Sequence, residues 1–463
     1  MLLYRYRSVD RACDEINSCY FCFSSREKLN DPIESYVRVY WKGDKNAWEG
    51  LLRYYVYCLH LGLLFFPLKE KNLDLDAQIE AQIKIIRYEL FRSHLNLALY
   101  KELGDKFLQI DFVKKVVNIL CKESKRKIYK TELKVFLRII QLDALAVCVK
   151  SLKEKKFVDK EKAELFLNMI DSYLKSNKEW LIEALSKLDE DASSNHLEDT
   201  KKTILFDSIN KVFSDITERQ ICDTLSDENS NLENDLIPLT EDYPRIFVEA
   251  LSEMIYPESY VVCFSKNNNN SSMWGNYAVE HKGVCLIYDC GNDNTFNLTY
   301  KNSIRKLSLK PVLYARKQVE RNFFKSLGLC NRNQIKLMLT GADGSLSRIY
   351  REYNKEGWRK KYLDDGIGKN FIKMKEWKYE EEYRLSFLDS FYECIDLEHR
   401  KFKYNYSCIK GVIFGIRTAY KDKRKILSCI NKCKGKLQNF KFYQAEFNDK
   451  SNVIEIREKS FWI

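Results

Sequence analysis

Two carboxylates and a guanidinium fall at alternate positions in Trp377-Lys378-Tyr379-Glu380-Glu381-Glu382-Tyr383-Arg384-Leu385-Ser386-Phe387. Read as a strand, Trp377, Tyr379, Tyr383, Leu385 and Phe387 form an apolar face, while Glu380, Glu382 and Arg384 line the other, within reach of one another. Carboxylates this close repel, and Arg384 relieves the repulsion by bidentate pairing. Such a trio suits recognition of hydroxyls, or a carboxylate facing a developing positive charge. Taken alone, the pattern reads better as the solvated face of an edge strand. Glu381 interrupts the alternation, which predicts a bulge or a strand that starts later.

Two further clusters carry aromatic and charged groups together. In Ser271–Gly283 a serine start and Gly283 at the C′ position predict a short helix, with Trp274, Tyr277, Ala278 and His281 on one face. That stripe could wall a planar ligand; the spacing alone favours core packing, with His281 an interior residue. At the N-terminus, Tyr4-Arg5-Tyr6-Arg7 places arginines among aromatics, followed by the turn Asn30-Asp31-Pro32 and Glu34. Arginine there could hold a phosphate or stack a base, but on this motif alone an ordinary amphipathic strand followed by a turn is the favoured reading. The stretch Arg400–Lys441 sets roughly a dozen basic residues against Asp422 alone, which reads as a solvated face more readily than a nucleic-acid footprint. Neither Cys19/Cys22 nor Cys429/Cys433 has partners at metal-site spacing, so no metal site is expected. Phosphate-loop and hydrolase motifs are absent from the sequence.

The elements that position these clusters come from both chain ends. The chain has 463 residues, 45% of them hydrophobic, with a net charge of +12. That length predicts two or three domains. Fifteen scattered cysteines in apolar runs suit reduced thiols and a cytoplasmic protein. The N-terminus has no apolar secretory segment, and Leu51–Leu68, with Arg53, His60 and three tyrosines, reads as a buried helix, so no membrane partner is expected. Short strands are predicted at 2–6 and Cys19–Ser24, with a helix from Ser8 to Ile16 between them. Helical periodicity marks Ala77–Phe91, Phe107–Cys121, Lys130–Leu152 and Glu161–Leu174, with polar interruptions at Asp189–Thr200 and Ser226–Asn234. Strands return at Tyr260–Ser265, Val284–Cys290, Val312–Tyr314, Tyr379–Phe387, Gly411–Phe414, Phe440–Phe447 and Val453–Arg457. Helices are predicted among them at Gln318–Leu329, Gln334–Leu339, Asp365–Met374 and Ala419–Lys434. The expected fold is therefore α+β: one mixed-sheet domain built from residues 1–41 and 256–463, interrupted by an all-helical insert over 42–255.

The blocks Leu3-Tyr4-Arg5-Tyr6-Arg7, Leu29-Asn30-Asp31-Pro32-Ile33-Glu34, Met273-Trp274-x-x-Tyr277-Ala278-x-x-His281-x-Gly283 and Trp377-x-Tyr379-Glu380-x-Glu382-Tyr383-Arg384 resemble, in order, those of the bacterial family catalogued as domain of unknown function 2971. Ile33 stands where that family usually has an aromatic. The resemblance implies membership but no activity. The order of an early arginine strand, a middle aromatic element and a late Glu-x-Glu is also similar to ADP-ribosyltransferases, although the middle element is a helix here and a strand there. This second resemblance implies NAD as substrate, Glu382 as catalytic residue with Glu380 beside it, and Arg5 or Arg7 on the pyrophosphate. Tyr4, Tyr6, Trp274, Tyr277, His281 and Arg384 would complete the nucleotide site. The leading expectation is thus an NAD-consuming transferase or glycohydrolase of the toxin or anti-phage effector type, acting on a protein or nucleic-acid target. The alternatives are a non-catalytic nucleotide or nucleic-acid binding module, and a nuclease holding a metal with Glu380, Glu382, Asp31 and Glu34.

Overall fold

A computed structural model of the chain describes residues 1–65, 83, 94–122, 127–193, 204, 207, 208, 211, 242–301, 303–390, 394, 396–437 and 439–460. The chain forms two compact units: Met1–Val37 with Pro257–Val319 and Leu363–Ile463, and Arg38–Tyr256 with Glu320–Tyr362. The class is α+β, with long helices and mixed sheets. The segment Glu320–Tyr362, grouped by sequence with the C-terminal part, counts with the second unit.

That second unit is mainly helical, with helices at Lys45–Phe65, His94–Leu108, Asp111–Lys122, Lys130–Ile139, Gln141–Glu154, Lys160–Ser193 and Tyr243–Glu253. It is not all-helical. Val37–Trp41 pairs antiparallel with Ile128–Tyr129, and Val319–Asn322 completes a three-stranded sheet. Val-Arg-Val-Tyr-Trp is a β-branched and aromatic run that suits a strand, and its brevity hid it beside the long helices. Val319–Asn322 also replaces the first turn of the helix expected at Gln318–Leu329. Asn322 then fixes a 3-10 turn by accepting from the Phe324 N–H at 3.2 Å and donating to the Lys42 carbonyl at 2.8 Å. The stretch from Leu51 lies in a helix with Tyr54, Tyr55 and Tyr57 buried. No described helix is long and apolar enough to cross a membrane. The expected helix Ala77–Phe91 falls outside the described residues apart from Ile83, as does the interruption Ser226–Asn234; that at Asp189–Thr200 begins inside a helix described to Ser193.

The first unit carries the predicted site residues. In chain order it contains β1 (Leu2–Arg7), α1 (Val9–Ser18), β2 (Tyr20–Cys22), β3 (Glu258–Ser265), α2 (Ser271–Tyr277) and β4 (Val284–Asp289). A hairpin follows, β5 (Thr295–Tyr300) with β6 (Ser303–Ser308), then β7 (Lys310–Pro311), β8 (Leu313–Ala315), β9 (Ile372–Met374) and β10 (Glu382–Asp389). The chain ends with β11 (Lys401–Lys403), β12 (Ile409–Phe414), α3 (Tyr420–Lys432), β13 (Lys441–Asn448) and β14 (Val453–Glu458). The main sheet runs β14-β13-β12-β4-β1-β3-β10-β7, parallel between β12 and β13. Strand β2 begins a second sheet, β2-β11-β5-β6, while β8 and β9 pair in parallel. The helix expected over Asp365–Met374 ends at Gly368, a 3-10 turn follows, and Ile372–Met374 is strand.

Period-two alternation sorts the main sheet into two faces. Leu3, Val262, Phe264, Leu286, Leu385 and Val412 pack with Ala12 and Ile16 of α1 and Ile426 and Ile430 of α3. On the other face Tyr6, Cys285, Ile287 and Ile413 pack with Trp274 of α2. Ser8 caps α1 through its bond to the Arg11 N–H. Strand β1 registers with β4 from Leu2 to Arg7, and β3 registers with β10 along its whole length. Between β1 and β3, among the described residues, the register is Tyr4 with Ser265 alone. The two strands then part. Ser24 takes up the freed backbone of Val261, donating at 2.8 Å and accepting at 3.0 Å. The sheet therefore opens along one seam.

Gly283 does not end α2, as its C′ reading required, since the helix stops at Tyr277. It is needed because a Cβ there would lie 2.2 Å from the Arg7 carbonyl oxygen. Gly275 has open space around the same position. Gly283→Ala is expected to lower unfolding free energy in urea by at least about 1–3 kcal/mol. Gly275→Ala should be neutral or stabilising by up to about 1 kcal/mol, since helical glycine is intrinsically unfavourable.

Candidate functional site in the parted seam

A cleft fills the gap between β1 and β3. It is lined by Tyr4, Arg5, Tyr6 and Arg7 of β1, by Arg11 of α1, and by the 24–34 loop with Ser24, Lys28, Asn30 and Glu34. Cys263 and Ser265 of β3, Met273 and Tyr277 of α2, and Lys373, Glu380, Glu382 and Arg384 complete it. Its enclosed volume is about 180 Å³. Pockets for drug-sized ligands run to about 300–1,000 Å³, so the cleft encloses one small moiety and leaves the rest of a larger ligand over its rim.

The floor is a buried ion network. Arg384, fully buried, donates through Nε to Glu382 Oε1 at 2.7 Å and through Nη2 to Glu382 Oε2 at 2.6 Å. It also pairs with Glu34 and donates to the Asn370 carbonyl at 2.7 Å. Lys373 Nζ reaches Glu380 Oε2 at 2.6 Å, Glu34 Oε2 at 3.2 Å and Glu382 Oε2 at 3.3 Å. The Trp377 ring covers the ammonium at 4.8 Å, a cation–π contact. Register places Lys373: β9 sets it opposite Tyr314, whose hydroxyl accepts from the Glu382 N–H at 2.8 Å.

Strand β10 starts at Glu382 because Glu381 adopts a left-handed conformation, φ 44°. The preceding residues form a 3-10 turn, so Trp377 and Tyr379 do not extend an apolar strand face. Glu380 nevertheless reaches the floor. Ser265 Oγ donates to its carbonyl at 2.7 Å, and the Tyr277 hydroxyl donates to its Oε1 at 2.5 Å. Glu382 and Arg384 are not a solvated edge, since β10 is flanked by β3 and β7 and both side chains are buried.

Three carboxylates face two cations, and the surplus negative charge is unevenly held. Burial pushes the Glu380 carboxyl up, against Lys373 and with Glu382, so it binds a proton more readily than an ordinary glutamate. Burial acts on Glu382 in the same sense, but Arg384 and then Lys373 outweigh it and hold that carboxyl at about 2. One carboxylate is thus a fixed anion, and its neighbour is poised to exchange a proton.

The opposite wall is cationic. Arg5 lies over the rings of Phe21 and Phe264 and pairs with Glu15 at 2.5 Å. Arg7 meets the second Glu15 oxygen at 3.1 Å and caps the Tyr6 carbonyl exposed by the seam, also at 3.1 Å. Glu15 is held further by the Tyr288 hydroxyl at 2.7 Å. Arg11 and Lys28, at the mouth, have no ion-pair partner among the described residues. The mouth is therefore positive and the floor slightly negative.

Of the sequence-selected residues, Tyr4, Arg5, Tyr6, Arg7, Tyr277, Glu380, Glu382 and Arg384 line this cleft, whereas Trp274 and His281 do not. Trp274 is fully buried, edge-on to Tyr6 with ring centroids 5.0 Å apart, and donates to the Asn268 carbonyl at 2.9 Å. Asn270, rather than a serine, caps α2, accepting from the Met273 N–H at 3.1 Å. The single helical stripe fails because Val279, Glu280 and His281 all take positive φ. Lys373 was missed, lying in a three-residue strand without a recognisable pattern. Asp31 caps its own turn by accepting from the Ile33 N–H at 3.0 Å. Among the described residues no three carboxylate, imidazole or thiol groups are arranged to hold a metal; of the four carboxylates in the nuclease reading, Glu34, Glu380 and Glu382 meet on Lys373 and Asp31 does not. The basic stretch is dispersed over β11, α3 and β13, where Lys401, Lys425 and Lys441 pair with Glu398, Asp10 and Glu458.

Removing one cation leaves buried carboxylates uncompensated. Lys373→Met or Arg384→Met is expected to cost about 3–5 kcal/mol in chemical denaturation. The folded Glu382 carboxyl, at about 2, lies below its unfolded value of 4.5. Its contribution is complete above that unfolded value and lost as pH falls towards the folded one. Glu380 acts in the opposite sense, contributing stability at low pH that is lost as pH rises past its unfolded value. Stability in Glu380→Gln should therefore fall as pH is lowered from 4.5 towards about 2, and in Glu380→Gln/Arg384→Met that fall should be smaller, because the folded Glu382 carboxyl moves back towards its unfolded value.

Residues 273–385 match the family model described as "Protein of unknown function (DUF2971)". The match starts at Met273 and ends just after Arg384, so it takes in the α2, β9 and β10 side of the cleft and leaves out β1, α1 and the 24–34 loop. No curated protein and no solved structure matches the chain.

Proposed function

We propose that the cleft binds NAD and breaks its nicotinamide–ribose bond, as a glycohydrolase or an ADP-ribosyltransferase. The observation that carries this reading is the separation of charge: cations at the mouth with no ion-pair partner among the described residues, and buried carboxylates with a surplus negative charge on the floor. NAD has the complementary layout, an anionic pyrophosphate and a cationic nicotinamide riboside end. Arg7, Arg11 and Lys28 would hold the pyrophosphate. The small enclosed volume would take the riboside end.

In the hydrolytic form the C1′–N bond breaks and its electron pair goes to the nicotinamide nitrogen. A water oxygen bonds to C1′, and its proton passes to Glu380, leaving ADP-ribose, nicotinamide and one proton. In the transfer form a nucleophile on a protein or nucleic acid replaces water. The anionic floor stabilises the oxocarbenium-like transition state. Roles differ from the sequence reading: Glu382, with both oxygens committed to Arg384 and Lys373, is the fixed anion, and Glu380 is the proton acceptor. A toxin or anti-phage effector role would follow from NAD depletion or target modification.

That same commitment of Glu382 favours a second reading, a nucleotide-binding module without turnover. Release of nicotinamide from NAD by the purified protein separates the two. Wild type should release it, with an acid limb of kcat/KM above the ordinary glutamate range, because Glu380 must lose its proton. Glu380→Gln should lower kcat by about 10²–10⁴-fold, and Arg11→Ala should raise KM with kcat little changed. Binding of ADP-ribose without any release by wild type would remove the catalytic reading and leave the binding one.

A further inference from the structure

A second cavity, of about 430 Å³, lies in the same unit and draws on the other side of the α2 region. Met273 and Tyr277 line the cleft, whereas Ser271 and His281 line this cavity. Its volume falls within the usual range for small-ligand pockets, about 300–1,000 Å³.

Three features of it are unexplained by the fold. The first is the backbone. Val279, Glu280 and His281 take φ of 49°, 54° and 69° in succession, and none is glycine. Left-handed residues of this kind cost of order 1–3 kcal/mol each and cluster at ligand sites. The turn sets the His281 ring nearly parallel to Trp274, 16° between planes at 6.4 Å, and its main chain is fixed by bonds from the His281 backbone N–H to the Trp274 carbonyl and from the Arg417 backbone N–H to the His281 carbonyl.

The second is the imidazole itself. His281 Nδ1 is buried with no hydrogen-bond partner, an unusual state for a buried polar atom. Burial, and then Arg417, lower the pKa of this histidine, so the ring is neutral near pH 7 and can accept a hydrogen bond. The third is Arg417, which lines the cavity and forms no ion pair among the described residues. Glu280 lies close enough to feel it but is held by Lys282 at 3.0 Å. Around these groups Ile416, Phe447 and Val453 are 39%, 52% and 47% exposed, a large apolar allotment for one surface depression.

We propose that this cavity is a binding site for a small planar organic anion, with its carboxylate on Arg417, its other end beside the His281 ring, and its ring against Ile416, Phe447 and Val453. The site is independent of the NAD reading, since it shares no lining residue with the cleft. Charge complementarity selects the class: the cavity offers a guanidinium without an ion pair among the described residues and no carboxylate among its lining residues.

Calorimetric titration with 4-hydroxybenzoate tests this. Saturable binding is expected, weakened about ten-fold or more in Arg417→Gln, where a charge-assisted bond is lost, and weakened in His281→Phe. The uncharged 4-hydroxybenzamide should bind worse to wild type, and Arg7→Gln, in the cleft, should leave affinity unchanged. Arg417 contributes its backbone N–H to the fold, so Arg417→Gln should keep wild-type thermal stability. No saturable binding at millimolar concentration, equal affinity in wild type and Arg417→Gln, or loss of binding in Arg7→Gln would each overturn the proposal.

Discussion

The first unit is organised around the pairing of Lys373 and Arg384 with Glu34, Glu380 and Glu382. A buried carboxylate is costly unless a cation and several hydrogen bonds meet it, and these five side chains come from two distant stretches of chain and four local elements. Each is tolerable only if the others are in place. That requirement holds the 24–34 loop, β9, the 3-10 turn and the start of β10 in one arrangement, which apolar packing would specify less sharply. The same network is electrostatically unfinished. Three carboxylates against two cations leave Glu380 poised to take up a proton or to meet a positive charge supplied from outside.

The seam between β1 and β3 gives the network access to solvent. Had the two strands stayed in register past Tyr4 and Ser265, the sheet would have closed and the ions would lie beneath a continuous backbone surface. The 24–34 loop satisfies part of the released backbone through Ser24, and Arg7 covers the Tyr6 carbonyl. Opening a sheet in this way sacrifices ladder hydrogen bonds and gains a polar slot with fixed charges on both walls. Arg5 and Arg7 are kept from collapsing onto the carboxylates by Glu15, which α1 presents from the other side.

Much of this was legible in the sequence, and what was missed has identifiable causes. The α+β class followed from strand texture at both ends, and β1, α1, β3, β4 and β10 fall where alternation and capping placed them, to within a few residues. Glu381 was recognised as an interruption because it breaks a period of two, and it marks the strand start. Lys373 gave no signal: its role depends on a three-residue strand pairing with Tyr314, a tertiary event. Helical spacing misled at His281, since three consecutive left-handed residues have no marker when none is glycine. Trp274 was ambiguous because an aromatic at helical spacing serves a core and a ligand wall equally well. Short strands such as Val37–Trp41 were lost among long helices, where apolar runs carry no period of their own.

The ion network couples the N-terminal segment to the distant β10 strand as a single unit. A double-mutant cycle on Glu34→Gln and Arg384→Met, read as unfolding free energy, tests it most directly. An interaction energy of about 1–3 kcal/mol is expected, because each substitution leaves the partner buried and unpaired and the second removes that penalty. Losses that simply add would contradict it, showing that Glu34 and Arg384 stabilise the fold separately.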